Sequence, residues 1–125
     1  MNLLLDTHVV LWAFTNDPTI SAPARQAIVD GANTVFVSAA TAWEIAIKRS
    51  IGKLQAPANY EEELRRHRFT PLSITTAHAL AVEHLPALHH DPFDRILVAR
   101  AVLEKLTLVT RDPRIRGYGV RTIEA

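Results

Sequence analysis

The chain has 125 residues, of which 48% are hydrophobic and 22% are charged, and its formal net charge is +1. This composition excludes a disordered chain and fits one globular domain over residues 1–125. The absence of cysteine excludes disulfides and thiolate metal sites, and it fits a reducing cytoplasm. No apolar run approaches the about 20 residues that cross a bilayer, and the N-terminus lacks a basic leader. We therefore expect a cytoplasmic protein without a membrane partner.

The first third of the chain predicts two strands, each followed by a helix. Residues 2–5 form an apolar run typical of a buried strand, and residues 9–14 continue as a helix packed on the sheet. Asp6 lies between them, where it either caps this helix or belongs to a ligand site at the strand's carboxyl end. A second helix begins after Ser21, and the β-branched residues 34–37 predict the second strand.

The helix after the second strand begins at Ser38 or Thr41 and ends at Gly52. Four apolar residues at helical spacing predict the stripe with which it faces the core: Ala39, Trp43, Ala46 and Ile47. Residues 60–67 read as a charged, peripheral helix, and Pro71 places residues 69–72 in an edge strand.

The last third predicts two more helices and two more strands. A small helix over residues 75–85 has three residues on its apolar side, Ala77, Leu80 and Ala81. Asp91 and Pro92 begin a longer helix with an inward apolar face that comprises Ile96, Leu97, Val98, Ala101 and Val102. Residues 106–110 and 120–123 are predicted strands. Strands that alternate with helices predict an α/β fold with a parallel sheet covered on both faces.

Four acids fall at equivalent places in this plan: Asp6, Glu44, Asp94 and Asp112. Asp6 and Asp112 follow strands. Asp94 lies in the first turn of its helix and Glu44 one turn into its own, and both helices start at the same edge of the sheet. Each acid has a structural alternative. Glu44 can pair with Lys48 at i,i+4, Asp94 can complement its helix dipole, and Asp112 can be a cap, as we expect of Asp91.

Taken together, the four acids favour a metal site over four unrelated caps. Carboxylates that meet in a partly buried crevice repel one another, and a divalent cation resolves that conflict. An oxygen-only ligand set suits Mg²⁺ or Mn²⁺. We expect Asp6 and Asp94 to be direct ligands and Glu44 and Asp112 to complete the shell.

Several neighbouring residues are candidates for supporting roles. Thr7 and Thr110 can hold the acids by hydrogen bonds. Three arginines near the expected mouth can bind phosphates: Arg95, Arg111 and Arg114. Arg95 can equally pair with Asp91 or a neighbouring acid. Three histidines raise the alternative of a zinc site, although their spacing matches no zinc motif: His8, His89 and His90. We expect His90 to be a loop hydrogen-bonding residue or an RNA contact.

Four segments of the chain resemble the PIN-domain ribonucleases, and more narrowly the VapC-type toxins of toxin–antitoxin pairs. The segments are Leu4-Leu5-Asp6-Thr7-His8, Trp43-Glu44-Ile45-Ala46-Ile47-Lys48, His90-Asp91-Pro92-Phe93-Asp94-Arg95 and Thr110-Arg111-Asp112. The resemblance implies a three-layer α/β/α PIN-like fold around a parallel sheet of four to five strands. It also implies that Asp6, Glu44, Asp94 and Asp112 form the catalytic metal site.

By the same resemblance, the activity is Mg²⁺- or Mn²⁺-dependent endonucleolytic hydrolysis of RNA. The resemblance further implies a small antitoxin whose C-terminal tail obstructs the acidic site, and a homodimer. Trp12 and Phe14 are candidates for the dimer contact, although both also fit the core.

Three other functions have to be compared with this one. An aspartyl phosphatase needs a second acid where His8 stands, and a phospho-receiver domain needs paired acids after the first strand, where Asp6 is alone. A catalytically silent PIN-like module that binds RNA or a partner remains as the alternative.

Overall fold

The structure is a computed structural model that describes all residues, 1–125, and it contains five parallel strands and six α-helices. The strands are β1 Asn2–Leu5, β2 Thr34–Ser38, β3 Thr70–Leu72, β4 Thr107–Thr110 and β5 Thr122–Glu124. The helices are α1 Thr7–Phe14, α2 Ala22–Val29, α3 Ala39–Ser50, α4 Tyr60–Arg66, α5 Thr76–Ala81 and α6 Pro92–Glu104. Two short 3₁₀ helices cover Val82–His84 and Pro113–Tyr118. None of the helices has the length and hydrophobicity required to cross a membrane.

The strands lie in the order β3-β2-β1-β4-β5, so β1 is central and β3 is an edge strand, as Pro71 predicts. All four strand pairs are parallel. The chain runs from β1 outward through β2 to β3 and then returns to place β4 on the other side of β1. Open α/β sheets bind ligands where the strand order reverses in this way. The crevice between the carboxyl ends of β1 and β4 is therefore the expected ligand position.

The two faces of the sheet carry separate hydrophobic clusters, because successive side chains of a strand point to opposite faces. Leu3 and Leu5 pack on one face with residues from α1, α2 and α4. Leu4 packs on the other face with residues from α6 and from the second 3₁₀ helix. The three-layer α/β/α architecture with a parallel sheet is thus confirmed. Trp12 and Phe14 pack against the first cluster, which agrees with their placement in the core.

The prediction for the buried face of α3 was wrong. Trp43 is 57% exposed, and Ala39, Ala46 and Ile47 are exposed as well. The residues that α3 buries instead are Ala40, Thr41, Glu44 and Ile45. This face is buried because the Thr7 hydroxyl of α1 donates a hydrogen bond to the Glu44 carboxylate at 2.6 Å, which holds Glu44 on the inner side of α3.

The apolar side predicted for α5 was also wrong. Leu80 is 64% exposed and Ala77 is exposed, whereas His78 is buried. The His78 ring completes a capping box with Thr75 and lies against the guanidinium of Arg100, which fixes that side of the helix inward. The α-helix ends at Ala81, four residues before the predicted end. In α6, Leu97, Val98 and Ala101 are buried as predicted, but Val102 is 49% exposed.

A pair of Leu→Ala variants tests this assignment of buried and exposed faces. Leu4 is fully buried, so Leu4→Ala should lower the free energy of unfolding by about 3 kcal/mol. Leu80→Ala removes the same atoms from an exposed position and should change the free energy of unfolding by less than about 0.5 kcal/mol. Urea denaturation measures both. Equal losses in the two variants would contradict the assignment.

Candidate metal centre

The four predicted acids line one cavity of about 200 Å³ at the carboxyl edge of the sheet. The lining residues are Asp6, His8, Trp12, Glu44, Lys48, Asp91, Asp94, Arg111, Asp112 and Arg114. Five of these ten residues are acids, and they come from four separated segments of the sequence. The fold therefore brings together the side chains that the sequence analysis placed at this edge.

Asp6 is not a helix cap, although it occupies the N-cap position of α1. Its side chain makes no capping hydrogen bond. Instead, the Thr110 hydroxyl at the end of β4 donates to Asp6 Oδ2 at 2.8 Å. Burial raises the pKa of Asp6, and the bond from Thr110 opposes that rise. The carboxylate is consequently held toward the cavity.

Glu44 is 4% exposed and receives hydrogen bonds from two side chains. The Thr7 hydroxyl donates to Oε1 at 2.6 Å, and the Lys48 ammonium donates to Oε2. The hydrogen bond to Glu44 raises the pKa of Lys48. The predicted i,i+4 pair thus exists inside the cavity, so it does not compete with a role for Glu44 in the site. Thr7 and Thr110 hold the acids as expected.

Asp94 has the most perturbed carboxyl group of the cavity. Its pKa is raised to about 7, first by burial and then by repulsion from neighbouring carboxylates, of which Asp6 has the largest effect. Asp91 is the cap of α6, as predicted, because its carboxylate accepts from the N–H groups of Phe93 and Asp94 at 2.9 and 3.2 Å. Asp94 itself accepts no backbone bond. Its carboxylate therefore lines the cavity without being committed to the helix end.

Asp112 combines the predicted cap with a place at the cavity. Its carboxylate accepts from the Arg114 N–H at 2.9 Å and pairs with the Arg114 guanidinium at 2.7 Å. Because of the Arg114 side chain, the pKa of Asp112 is lowered. Asp112 still groups with His89 and Asp94, since ligand atoms of the three residues lie within 4.8 Å of one another. A cation bound there would share Asp112 with Arg114.

The sequence analysis named His89 only as a candidate zinc ligand and did not predict its contact with Asp94. His89 is 6% exposed, with Nδ1 at 2.5 Å from the Tyr118 hydroxyl and Nε2 at 3.4 Å from Asp94 Oδ2. His90, which we expected to be the hydrogen-bonding residue of this loop, is exposed and makes no side-chain hydrogen bond within the chain. Two adjacent histidines give no periodic signal that distinguishes the buried one. The three histidines form no joint metal-ligand group: His89 groups with Asp94 and Asp112, and His8 lines the acidic cavity.

The three candidate arginines separate into two groups. Arg95 was wrongly placed at the mouth, and it pairs with no acid. Its guanidinium donates to backbone carbonyls, including those of Val82 and Pro86, and holds the preceding loop. Arg111 and Arg114 do line the cavity. Arg111 lies over the Trp12 ring at 3.9 Å, which presents a cation beside the acids.

The residues of this cavity fit a divalent cation. Asp6, Glu44 and Asp94 offer buried or half-buried carboxylates, and the raised pKa values of Asp6 and Asp94 record how unfavourable their charges are without compensation. Lys48 is the one ammonium group at the cavity, and it is committed to Glu44. An oxygen-rich set of this kind matches the ligand preference of Mg²⁺ and Mn²⁺.

The fold and the site define an α/β protein with a parallel sheet and an acidic, oxygen-lined cavity where the strand order reverses. The chain belongs to the PIN-domain family, whose model matches residues 3–120. Ribonuclease VapC22 of Mycobacterium tuberculosis is 32% identical over 123 residues, which cover 93% of this chain and 91% of that protein. Ribonuclease VapC16 of the same organism is 41% identical over 69 residues, 49% of each chain.

Solved structures of low sequence identity share the fold. The chain is similar to the structure of VapBC2 from Rickettsia felis bound to a promoter DNA fragment, with a TM-score of 0.73, 16% identity and coverage of 99% of this chain and 98% of that one. It is also similar to DNA-bound VapBC from Salmonella typhimurium, with a TM-score of 0.71, 19% identity and the same coverage. The PIN-like fold predicted from the four sequence segments is thereby confirmed.

The raised pKa of Asp94 predicts a pH dependence of stability in the metal-free protein. Between pH 4 and about pH 7 the folded state retains a proton that the unfolded state has released, so stability falls as the pH rises through this window. Asp94→Asn removes that decline. At pH 8 and in EDTA, we expect the variant to be more stable than the parent by about 1–2 kcal/mol after solvent screening.

Urea denaturation at pH 5, 6, 7 and 8 measures this difference. Glu83→Gln is the matched control, because Glu83 is an exposed acid outside the cavity. Parallel profiles of unfolding free energy against pH for the parent and Asp94→Asn would contradict a destabilising charge on Asp94.

Proposed function

We propose that this PIN-domain chain is a metal-dependent endoribonuclease of the VapC type, the toxin of a toxin–antitoxin pair. The observation that carries the proposal is the convergence of Asp6, Glu44, Asp94 and Asp112 on one cavity. The ribonuclease relative that is similar over 93% of the chain supports the same reaction.

The four acids are the proposed metal site, with Mg²⁺ or Mn²⁺ as the cation. Asp6 and Asp94 are the direct ligands, because burial raises the pKa of both carboxyl groups and neither is paired with a basic side chain of Lys or Arg. Two further acids, Glu44 and Asp112, complete the shell directly or through water. Thr7 and Lys48 hold Glu44, and Arg114 holds Asp112. A divalent cation in such a site supplies a nucleophile at neutral pH and neutralises charge that develops on the phosphate.

The basic residues of the rim bind the RNA backbone. Arg111 and Arg114 line the cavity and present guanidinium groups that hydrogen-bond phosphate oxygens. Arg111 is fixed in place by the Trp12 ring and by hydrogen bonds to the carbonyls of Thr19 and Ala125. A fixed cation beside the acids positions the scissile phosphate without a large loss of side-chain freedom on binding.

Cleavage of total cellular RNA by the purified chain tests the function. The parent in Mn²⁺ should give discrete fragments, and EDTA or the Asp6→Asn substitution should abolish them because each removes the cation or one of its ligands. Glu83→Gln should cleave like the parent. RNA binding without cleavage by any sample would instead favour the silent PIN-like module, and equal cleavage by Asp6→Asn would remove Asp6 from the site.

An apolar groove next to the cavity is the proposed antitoxin site. It has a volume of about 650 Å³ and shares His8 and Trp12 with the acidic cavity. Its remaining walls come mainly from α1 and the loop after α3, including Leu11, Phe14 and Leu54, and Glu63 of α4 also lines it. An antitoxin tail with apolar side chains fits this groove, and a basic side chain that follows them reaches the acids. The structural neighbours that are VapBC complexes support a partner of this kind.

The exposed apolar stripe of α3 is the proposed homodimer contact. Trp43 is 57% exposed, Ile47 follows one turn later in α3, and Ile51, the residue directly after the helix, is 60% exposed. Trp43 also packs edge-on against Phe93 at 5.0 Å, which extends the apolar surface onto α6. Contiguous exposed apolar patches mark interaction surfaces, and a second copy of the chain is the partner that we assign to this one.

Sedimentation velocity tests this dimer. The parent should sediment as a dimer, and Ile51→Glu should shift it to the monomer because a charge is unfavourable in an apolar contact. Leu80→Glu places the same charge at an equally exposed apolar position on α5 and should leave the dimer intact. A monomeric parent, or the same shift in both variants, would contradict the assignment.

A further inference from the structure

Three polar side chains form a continuous chain that ends on the Asp94 carboxylate. The Arg95 guanidinium donates to the Tyr118 hydroxyl at 3.1 Å, and that hydroxyl lies 2.5 Å from His89 Nδ1. His89 Nε2 faces Asp94 Oδ2 at 3.4 Å. Tyr118 and His89 are 9% and 6% exposed, so water does not compete freely for these bonds.

The direction of the first bond follows from the chemistry of Arg95. A guanidinium has only N–H groups and donates in every hydrogen bond that it makes. The other N–H of the same Nη1 donates to the Pro86 carbonyl at 2.8 Å, and the His89 carbonyl at 3.3 Å shares one of these two N–H groups, which fixes the side chain. The Tyr118 oxygen is therefore an acceptor toward Arg95, and its own proton has to be donated elsewhere.

His89 Nδ1 is the one acceptor within hydrogen-bond reach of the Tyr118 hydroxyl. A buried hydroxyl proton without an acceptor is unfavourable, so Tyr118 donates to Nδ1. An Nδ1 that accepts a hydrogen bond carries no proton. The proton of the neutral imidazole then lies on Nε2, where it points to the Asp94 carboxylate.

The opposite tautomer satisfies fewer groups. With the proton on Nδ1, the Tyr118 hydroxyl would have no acceptor for its own proton. The lone pair of Nε2 would also face a carboxylate oxygen. Both contacts are unfavourable in a buried environment. The donors and acceptors of this series of hydrogen bonds thus select one arrangement of protons from Arg95 to Asp94.

From this arrangement we infer that His89 is a positioning residue for Asp94, and that Tyr118 sets its tautomer. Asp94 accepts no other hydrogen bond, yet it lies among acids that repel it. The Nε2–H group of His89 occupies one lone pair of Oδ2 and leaves the remaining lone pairs free to face the cavity. The inference rests on the proposed function, because it assigns His89 to the carboxylate that the proposal makes a metal ligand.

The tautomer is measured by ¹⁵N NMR of the full chain labelled at histidine and free of metal, at pH 8, where the Asp94 carboxyl is ionised. The His89 signals are assigned by their loss in His89→Gln. The expected spectrum is that of a neutral imidazole protonated at Nε2. Tyr118→Phe removes the donor to Nδ1 and should shift the population toward the Nδ1-protonated form. A parent that is protonated at Nδ1, alone or together with Nε2, would overturn the inference.

Three variants connect the tautomer to the site. His89→Ala should lower kcat for RNA cleavage by about 10- to 100-fold with little change in KM, as is typical of a lost partner of a metal ligand. It should also reduce the rise in Tm that Mn²⁺ gives. His89→Gln retains an N–H donor at the position of Nε2 and should recover most of both effects. His84→Ala, an exposed histidine without side-chain hydrogen bonds, should behave as the parent.

The readouts separate this inference from the proposed function. If the parent cleaves no RNA, the NMR spectrum and the Mn²⁺-dependent Tm still test the contact between His89 and Asp94. If the parent cleaves RNA and His89→Ala does so at the parental rate, His89 has no positioning role. Loss of the Nε2 proton on addition of Mg²⁺ would make His89 a direct ligand and would also contradict the inference.

Discussion

Repulsion among carboxylates at the carboxyl edge of the sheet is the constraint on which the structure of this protein depends. Asp6 directly follows β1, and Glu44 and Asp94 lie in α3 and α6. These acids meet at one point because parallel strands end at the same edge of the sheet. Such an arrangement is unfavourable without compensation. Three side chains stabilise these charges without neutralising all of them. The Thr7 hydroxyl and the Lys48 ammonium group bind Glu44, and the Thr110 hydroxyl binds Asp6.

The supporting contacts explain features of the fold that have no other evident cause. Thr7 and Lys48 hold Glu44 inward, and as a consequence the apolar stripe of α3 faces outward, where it becomes a surface for a partner. Arg95 fixes the loop before α6 by its backbone carbonyls, and the same side chain orders Tyr118 and His89. Stability and function are therefore linked through polar residues, while the two hydrophobic clusters supply the bulk of the folding energy.

The sequence predicts those parts of the site that follow from chain topology. Parallel strands share an edge, so acids placed after strands or at the starts of the following helices must converge, and the structure agrees for Asp6, Glu44, Asp94 and Asp112. Helix rotation was not predictable in the same way. In α3, the apolar stripe with Trp43 and the buried stripe with Glu44 have the same helical periodicity. The hydrogen bond from Thr7 to Glu44, 37 residues apart, decides which stripe is buried. The choice of His89 over His90 likewise depends on Tyr118, which is distant in sequence.

The most direct test of this account is a crystal structure of the chain with Mn²⁺, in which anomalous scattering locates the ion. The account predicts density inside the acidic cavity, with Asp6 and Asp94 as ligands and the Nε2–H of His89 on the Asp94 oxygen. The Asp94→Asn crystal treated identically should lose that density. Manganese bound elsewhere on the surface, or an acidic cavity without density at millimolar Mn²⁺, would contradict the central claim that these carboxylates converge to hold a cation.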